Sequence, residues 1–438
     1  MRIGMKIIIS KILPGDPVKR GFFSFLCALL TTIILPIHVK YLPPFMILWG
    51  IFWISENYFR IGAVCSCRLP FKILFILFIS YYVWQCISLI YSTDIKMGLS
   101  NLFGRLSLVL FPMVLIYPGV MIRNNIKLLT RIFAISTFMF MFFCFGYALY
   151  KSVHFQNGIW NFNPHPAEYY WLSYFYSSEL TISQHPSYIA MYVGLSVFIC
   201  FESYFDYSLR LKNRVIWLIF GFLLLVSQYF LSSRAGILIS LILIPAYFII
   251  KFRQLSKMKF AWLWIILIIF ALLPLIVKNQ RVDYLYGRLT HNQIGYEREK
   301  DPRLIIWKSA LEIARRNLLF GVGIGDVKTE LSVEYMRAGE EQMSRERFNA
   351  HNQFLEVLLE NGIIGLVLFI SIFVSMFYIG ISDKNLLYIM FILMIFMFLL
   401  FETVLYRLAG VTFFSFFSML LCHTDTNKEI PQMDLYKS

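Results

Sequence analysis

Charge is what this chain has least of. Only 15% of its 438 residues are Asp, Glu, Lys or Arg, against about 25% in an ordinary soluble domain, while 59% are hydrophobic. Acidic residues are the scarcer sign, 25 against 40 Lys and Arg, which leaves a formal net charge of +15. So few charges cannot clothe a water-soluble surface around this much apolar side chain. Repeated apolar runs near the length of a bilayer crossing instead make the chain a polytopic membrane protein. The positive balance does not indicate nucleic acid. Its cations stand in short clusters between apolar runs, and no soluble basic module is present.

Other absences narrow the reading further. None of the seven cysteines falls in the long hydrophilic stretch before residue 351, so no disulfide framework is implied there. Cys65-Ser66-Cys67 has no His or Cys partner nearby and reads as chance rather than a metal site. No small-residue cleavage pattern follows the first apolar run, which is expected to stay as an anchor. No repeat of 20–50 residues and no low-complexity segment is visible. Gly321-Val322-Gly323-Ile324-Gly325 lacks the Lys-Ser/Thr ending of a phosphate loop and reads as a helix terminator.

What is present is a series of apolar runs. They predict spans at about 22–37, 45–59, 71–91, 106–117, a fifth ending near Tyr150, then 188–204, 215–231, an eighth reaching Ile250, 260–277, 354–378, 386–404 and 410–421. Basic clusters at 2–20, 60–72, 123–131, 210–214 and 251–259 all fall on one side. The opposite short connections keep few cations: Lys40, Lys96, Arg105, Lys151, Arg234 and Arg407. That asymmetry predicts both termini inside and the long loop outside. The expected fold is an all-α polytopic membrane protein with about twelve transmembrane helices and a large helical loop between the ninth and tenth. It divides into spans one to nine (1–277, with an outer aromatic segment at 151–185), the loop (278–351), spans ten to twelve (352–422) and a cytoplasmic tail (423–438). Within the loop, Asp301-Pro302 starts a helix to about Asn317, amphipathic through Leu304, Trp307, Leu311 and Ala314. A second, charged helix covers about Asp326–Met336.

The chemistry gathers where this loop meets the tenth span, at Ala350–Gly365. On a helix, Asn352, Glu356 and Glu360 share one face, and His351, Leu355 and Leu359 the neighbouring one. Glu360 would then lie roughly 13 Å deeper than His351. An ionisable group at such depth costs roughly 2.5–3.5 kcal/mol on insertion scales, so it normally faces a polar cavity. The bland reading is an N-cap and a polar helix face packed against other helices. In the functional one, His351 accepts a proton from an attacking hydroxyl, and Glu356 or Glu360 orients it.

Arginines supply the complementary half. Arg234 stands in Ser-Ser-Arg-Ala-Gly at an outer span end, where a snorkelling anchor is the alternative. Arg303 occupies the first turn of the loop helix, next to the positive end of its dipole, which suits an anion site better than a cap. Arg281, Arg288 and Arg407 are weaker candidates. Arginine grips phosphate oxygens in bidentate fashion, and a lipid-linked diphosphate is the anion expected at an outer membrane surface. His185 heads the sixth span as either a cap or a cavity group. Glu402 and Arg407 stand close enough in sequence to pair at the end of the eleventh. The rings of the segment from His154 to Tyr176 form an interfacial belt or stack on sugars.

Ser232–Gly236, Arg303 with Trp307, Ala350–Gly365 and Phe401–Gly410 together resemble the O-antigen ligase and polymerase superfamily of bacterial inner-membrane glycosyltransferases, over roughly residues 185–420. The resemblance implies a GT-C-like fold in the inner membrane with the long loop in the periplasm. It implies inverting, metal-independent transfer of an undecaprenyl-diphosphate-linked glycan, with no cofactor. The acceptor would be lipid A-core in a ligase or a further glycan in a polymerase. His351 would be the base, and Arg234 and Arg303, with Arg281 as a further candidate, would hold the diphosphate. His185, Asn352, Trp307, Glu402 and Arg407 would line the substrate. A twelve-span secondary transporter is the reading from another class, but neither an internal repeat nor a pair of broken helices supports it.

Overall fold

The computed structural model describes residues 21–57, 68–156, 158–165, 173–182, 184–254 and 302–423. The expected ninth span, Arg281, Arg288, Cys65, Cys67, the basic opening segment and the tail after residue 423 lie outside them. Backbone in lipid must satisfy its own hydrogen bonds, so the apolar runs fold as helices. In chain order these are α1 (Phe22–Ile37), α2 (Leu42–Asn57), α3 (Leu69–Ser88), α4 (Ile95–Gly104), α5 (Ser107–Leu115), α6 (Val120–Asn124), α7 (Ile126–Ser152), α8 (Ser177–Thr181), α9 (Pro186–Tyr204), α10 (Leu211–Leu231) and α11 (Arg234–Gln254). The long loop contributes α12 (Pro302–Arg316), α13 (Val327–Arg337) and α14 (Glu341–Glu346), and α15 (Gln353–Ser382), α16 (Leu386–Phe401) and α17 (Leu408–Leu421) follow. An antiparallel hairpin of β1 (Val153–Gln156) and β2 (Ile159–Phe162) departs from the all-α expectation and occupies the start of the aromatic segment.

Among the described residues, α3, the α4–α5 pair, α7, α9, α10, α11 and α15 are the seven helices long and apolar enough to cross a membrane. The shorter α1, α2, α16 and α17 are also apolar. The chain is therefore a multi-pass membrane protein, mostly helical. α9 and α17 are buried almost all round and form the centre, as helices apolar on every face must. α9 packs on α7, α10, α11 and α16, while α3 packs on α5 and α15. Peripheral helices turn apolar stripes outward at helical spacing: Ile73, Ile76, Val83 and Ile87 on α3, and Val367, Ile370, Val374, Tyr378 and Ile381 on α15. Water would not tolerate these stripes, and lipid does.

The loop helices have a core of their own. Ile306, Ala310, Ile313 and Ala314 of α12 meet Val327, Leu331 and Tyr335 of α13, and Leu355, Leu358 and Leu359 of α15 close the cluster. The opening turns of α15 thus belong to the loop unit as much as to the bundle. A break explains this double allegiance. At Gly362 the helix leaves α geometry with φ 63°, a conformation that a side chain would strain. The freed carbonyls are taken up by the turn after α12: Val322 N–H donates to Leu359 O at 2.7 Å and Gly323 N–H to Glu360 O at 3.2 Å. Ile363 N–H in return donates to Leu318 O at 2.8 Å. The glycine-rich stretch therefore does more than end α12, because a Cβ on Gly321 would run into Leu359 O. Its far side is held by Asp326, whose carboxylate accepts from Thr93 N–H, the Thr93 hydroxyl and Asp94 N–H at 2.7–2.9 Å. This joint fixes the loop unit to one end of the bundle.

Candidate active site

The expected helical face beginning at His351 is corrected by the cap. The Asn352 side chain accepts from Phe354 N–H at 2.9 Å and Leu355 N–H at 3.1 Å, so α15 starts at Gln353 and His351 stands outside it. His351 adopts a left-handed backbone, φ 45°, which is costly for a residue with a Cβ and persists only when its surroundings enforce it. They do so from both sides. Trp307 Nε1–H donates to Ala350 O at 3.2 Å, Ala350 N–H donates to Glu356 Oε2 at 3.1 Å, and His351 N–H donates to Asn349 Oδ1 at 3.1 Å.

The carboxylate that meets the imidazole is neither Glu356 nor Glu360. Glu360 is clasped by the Arg105 guanidinium through two contacts of 2.6 Å, and both side chains are buried. Glu356 lies behind Ala350, also buried. Glu356 or Glu360 was expected to orient His351 along one helix, but with the imidazole off the helix Glu356 accepts Ala350 N–H and Glu360 pairs with Arg105.

Glu402, 51 residues further on, takes the place beside the imidazole, with its Oε2 3.7 Å from His351 Nδ1. It ends α16 in extended backbone. The loop after it is drawn to the start of α15 because the buried Gln353 side chain accepts Leu405 N–H at 2.8 Å. The Ser187 hydroxyl donates to Glu402 Oε1 at 3.0 Å, joining α9 to the same point. Burial would raise the Glu402 carboxyl, but the neighbouring His351 imidazole, the Ser187 hydroxyl and His185 outweigh it and hold the group below its ordinary range. The carboxylate is charged at neutral pH.

These groups open on a cavity of about 270 Å³ at the meeting of α9, α13, the segment before α15 and the loop after α16. His185, Ser187, Lys328, Arg347, Asn349, His351, Glu402, Tyr406 and Arg407 are among its lining residues. One carboxylate faces three permanent cations, so the cavity carries a positive surplus suited to an anion. Lys328 Nζ lies 4.8 Å over the Tyr406 ring. Arg347 and Arg407 are exposed at the rim.

Of the residues singled out in the sequence, His185, His351, Glu402 and Arg407 come together here. The expected Glu402–Arg407 pairing gives way to Ser187 and His351 as the partners of Glu402. His185 also caps α9, its Nδ1 accepting Ser187 N–H at 3.4 Å. Arg303 borders the cavity without lining it: its guanidinium donates to Phe401 O at 3.5 Å, one residue before Glu402. Trp307 and Asn352 shape the backbone around His351. Arg234 is exposed at the start of α11, at the same end of the bundle, since neighbouring Gly236 packs on Ala190 of α9. It is not among the cavity-lining residues. Sequence reasoning missed Lys328, Arg347, Asn349 and Tyr406. Lys328 lay within an expected charged helix, but nothing in its spacing said which cation turns inward. Arg347 gave no signal among the charges of its segment.

A search of curated proteins finds no match to the chain. A family model described as O-antigen ligase matches residues 207–370, a stretch that holds Arg234, Arg303, Lys328, Arg347, His351 and the break at Gly362 in α15, and that stops short of Glu402. That stretch is therefore similar to the O-antigen ligase family, in line with the resemblance carried by the sequence.

Proposed function

We propose that this protein is an O-antigen ligase that moves a glycan from undecaprenyl diphosphate to a hydroxyl of lipid A-core on the periplasmic side of the inner membrane. The observation that carries the reading is the convergence of His351, Glu402 and three cations from separate segments on one cavity. His351 takes the proton of the acceptor hydroxyl while the hydroxyl oxygen attacks the anomeric carbon. The bond from that carbon to the phosphate oxygen breaks, and the lipid diphosphate leaves with the electron pair. Glu402 stabilises the imidazolium formed. Arg407, Lys328 and Arg347 at the cavity, with Arg303 bordering it, neutralise the leaving diphosphate. Arg234 approaches the same long anion from the neighbouring helix end. Attack opposite the leaving group inverts the anomeric centre.

A polymerase extending the glycan on the same carrier would use the same groups. A strain lacking the gene separates the two readings on lipopolysaccharide gels. The ligase reading predicts intact core, no ladder and accumulated lipid-linked polymer. A band of core bearing a single repeat would instead establish the polymerase. Surviving ladder of normal length would contradict both. The transporter reading gains nothing from the break in α15, because its freed carbonyls at 359 and 360 already accept from Val322 and Gly323.

A further inference from the structure

A second cavity, of about 360 Å³, lies at the other end of the bundle, among the first turns of α7, the last turns of α9 and α11, and the start of α16. α9 runs from the candidate active site to this cavity, and its 19 residues span about 28 Å. That is close to the roughly 30 Å of a bilayer's hydrocarbon core, so the two cavities face opposite leaflets.

Its charges do not cancel. Lys127, Arg131, Lys251 and Lys384 line it against Glu202 and Asp206. Each carboxylate is already satisfied. Asp206 accepts from Arg131 at 2.7 Å, and from the Ser208 hydroxyl and N–H at 2.7 and 3.1 Å. Glu202 accepts from Lys251 at 2.7 and 2.9 Å and from the Tyr247 hydroxyl at 2.8 Å. Lys127 stands 3.6 Å from Asp206 and is 71% exposed, and Lys384 makes no ion pair among the described residues. The acid next to Lys384, Asp383, is taken by Arg68 at 2.7 Å. Four cations against two carboxylates leave a surplus of two positive charges, beside apolar lining from Ile199, Phe205, Leu386 and Leu387. Cations next to an apolar floor at a leaflet surface match a phosphate that carries acyl chains better than a free ion.

We propose that this cavity binds the phosphate headgroup of an anionic phospholipid of the leaflet opposite the active site, with Lys127 and Lys384 as its cationic contacts. The test takes the full-length protein in neutral detergent, titrates it with short-chain phosphatidylglycerol, and reads bound lipid by native mass spectrometry and the midpoint of thermal unfolding. Phosphatidylglycerol should bind and raise the midpoint, and phosphatidylcholine should not. Lys127→Ala combined with Lys384→Ala should weaken binding by about 30-fold, or about 5-fold per cation. Arg210→Ala combined with Lys212→Ala removes exposed cations at the same end but outside the cavity, and screening should keep its effect within about twofold. If the first double variant is unstable without lipid, Lys384→Ala alone, which removes no ion pair among the described residues, should still weaken binding about 5-fold. Equal binding of phosphatidylcholine, or equal loss in the control pair, would overturn the site. Equal stabilisation by inorganic phosphate alone would overturn the lipid as its occupant.

Discussion

Two carboxylates at the loop-proximal end of the bundle invite comparison, because both stand beside a basic group and only one fits chemistry. Glu360 is sealed. Both its oxygens meet Arg105 at 2.6 Å, and the two side chains are 1% and 2% exposed. Glu402 is half finished. One oxygen accepts from Ser187, the other faces His351 at 3.7 Å, and a quarter of the side chain is open to the cavity. A contact of 3.7 Å is too long for a strong hydrogen bond, which leaves room to tighten when a substrate closes the site. A saturated ion pair holds segments together, and an unsaturated one beside an opening can change its protonation partner during a reaction. On the proposed function, Glu360 supports the fold and Glu402 belongs to the site.

Substitutions sharpen that contrast, taken from the largest expected effect downward. His351→Ala should lower transfer in proteoliposomes by about 10²- to 10⁴-fold with membrane insertion unchanged; an ordinary rate would remove it as the base. Glu360→Gln should act on the fold instead. It leaves the Arg105 charge buried without its partner, a loss of about 3–5 kcal/mol, so folded protein falls while the surviving molecules transfer at a near-normal rate. A slow but stably folded variant would erase the contrast. Glu402→Gln should slow transfer less than His351→Ala, because the imidazolium loses its stabilising charge while the base itself remains. A rate equal to wild type would break the pairing. Asn352→Ala, which removes the cap before α15, should cost about 1 kcal/mol in thermal stability, and an unchanged unfolding midpoint would count against the cap.

Much of the fold was legible because bilayer thickness constrains apolar runs so tightly. The expected spans at 188–204, 215–231 and 410–421 meet helices at Pro186–Tyr204, Leu211–Leu231 and Leu408–Leu421. The two expected loop helices, α12 and α13, stand within about two residues of their expected bounds, while α14 was not expected. What the sequence hid was a matter of backbone. The apolar pattern of 353–382 runs unbroken through Gly362, because the break is stabilised from outside by the turn at 318–323 and leaves no polar signature of its own. The cap at Asn352 is what moves His351 off the helix and away from Glu356 and Glu360. The pairing with Glu402 depends on Gln353 reaching Leu405 N–H, a contact between segments 52 residues apart that spacing cannot show. Lys328 and Arg347 were hidden for the same reason: which cations of a charged loop face inward is decided by the small core of α12 and α13.

The most direct test of this account is a double-mutant cycle on transfer rate, using wild type, His351→Ala, Glu402→Gln and the double variant with a defined lipid-diphosphate-linked donor. If the two groups work as one unit, the double variant is no slower than His351→Ala alone. Losses that multiply would show that Glu402 acts independently of the imidazole.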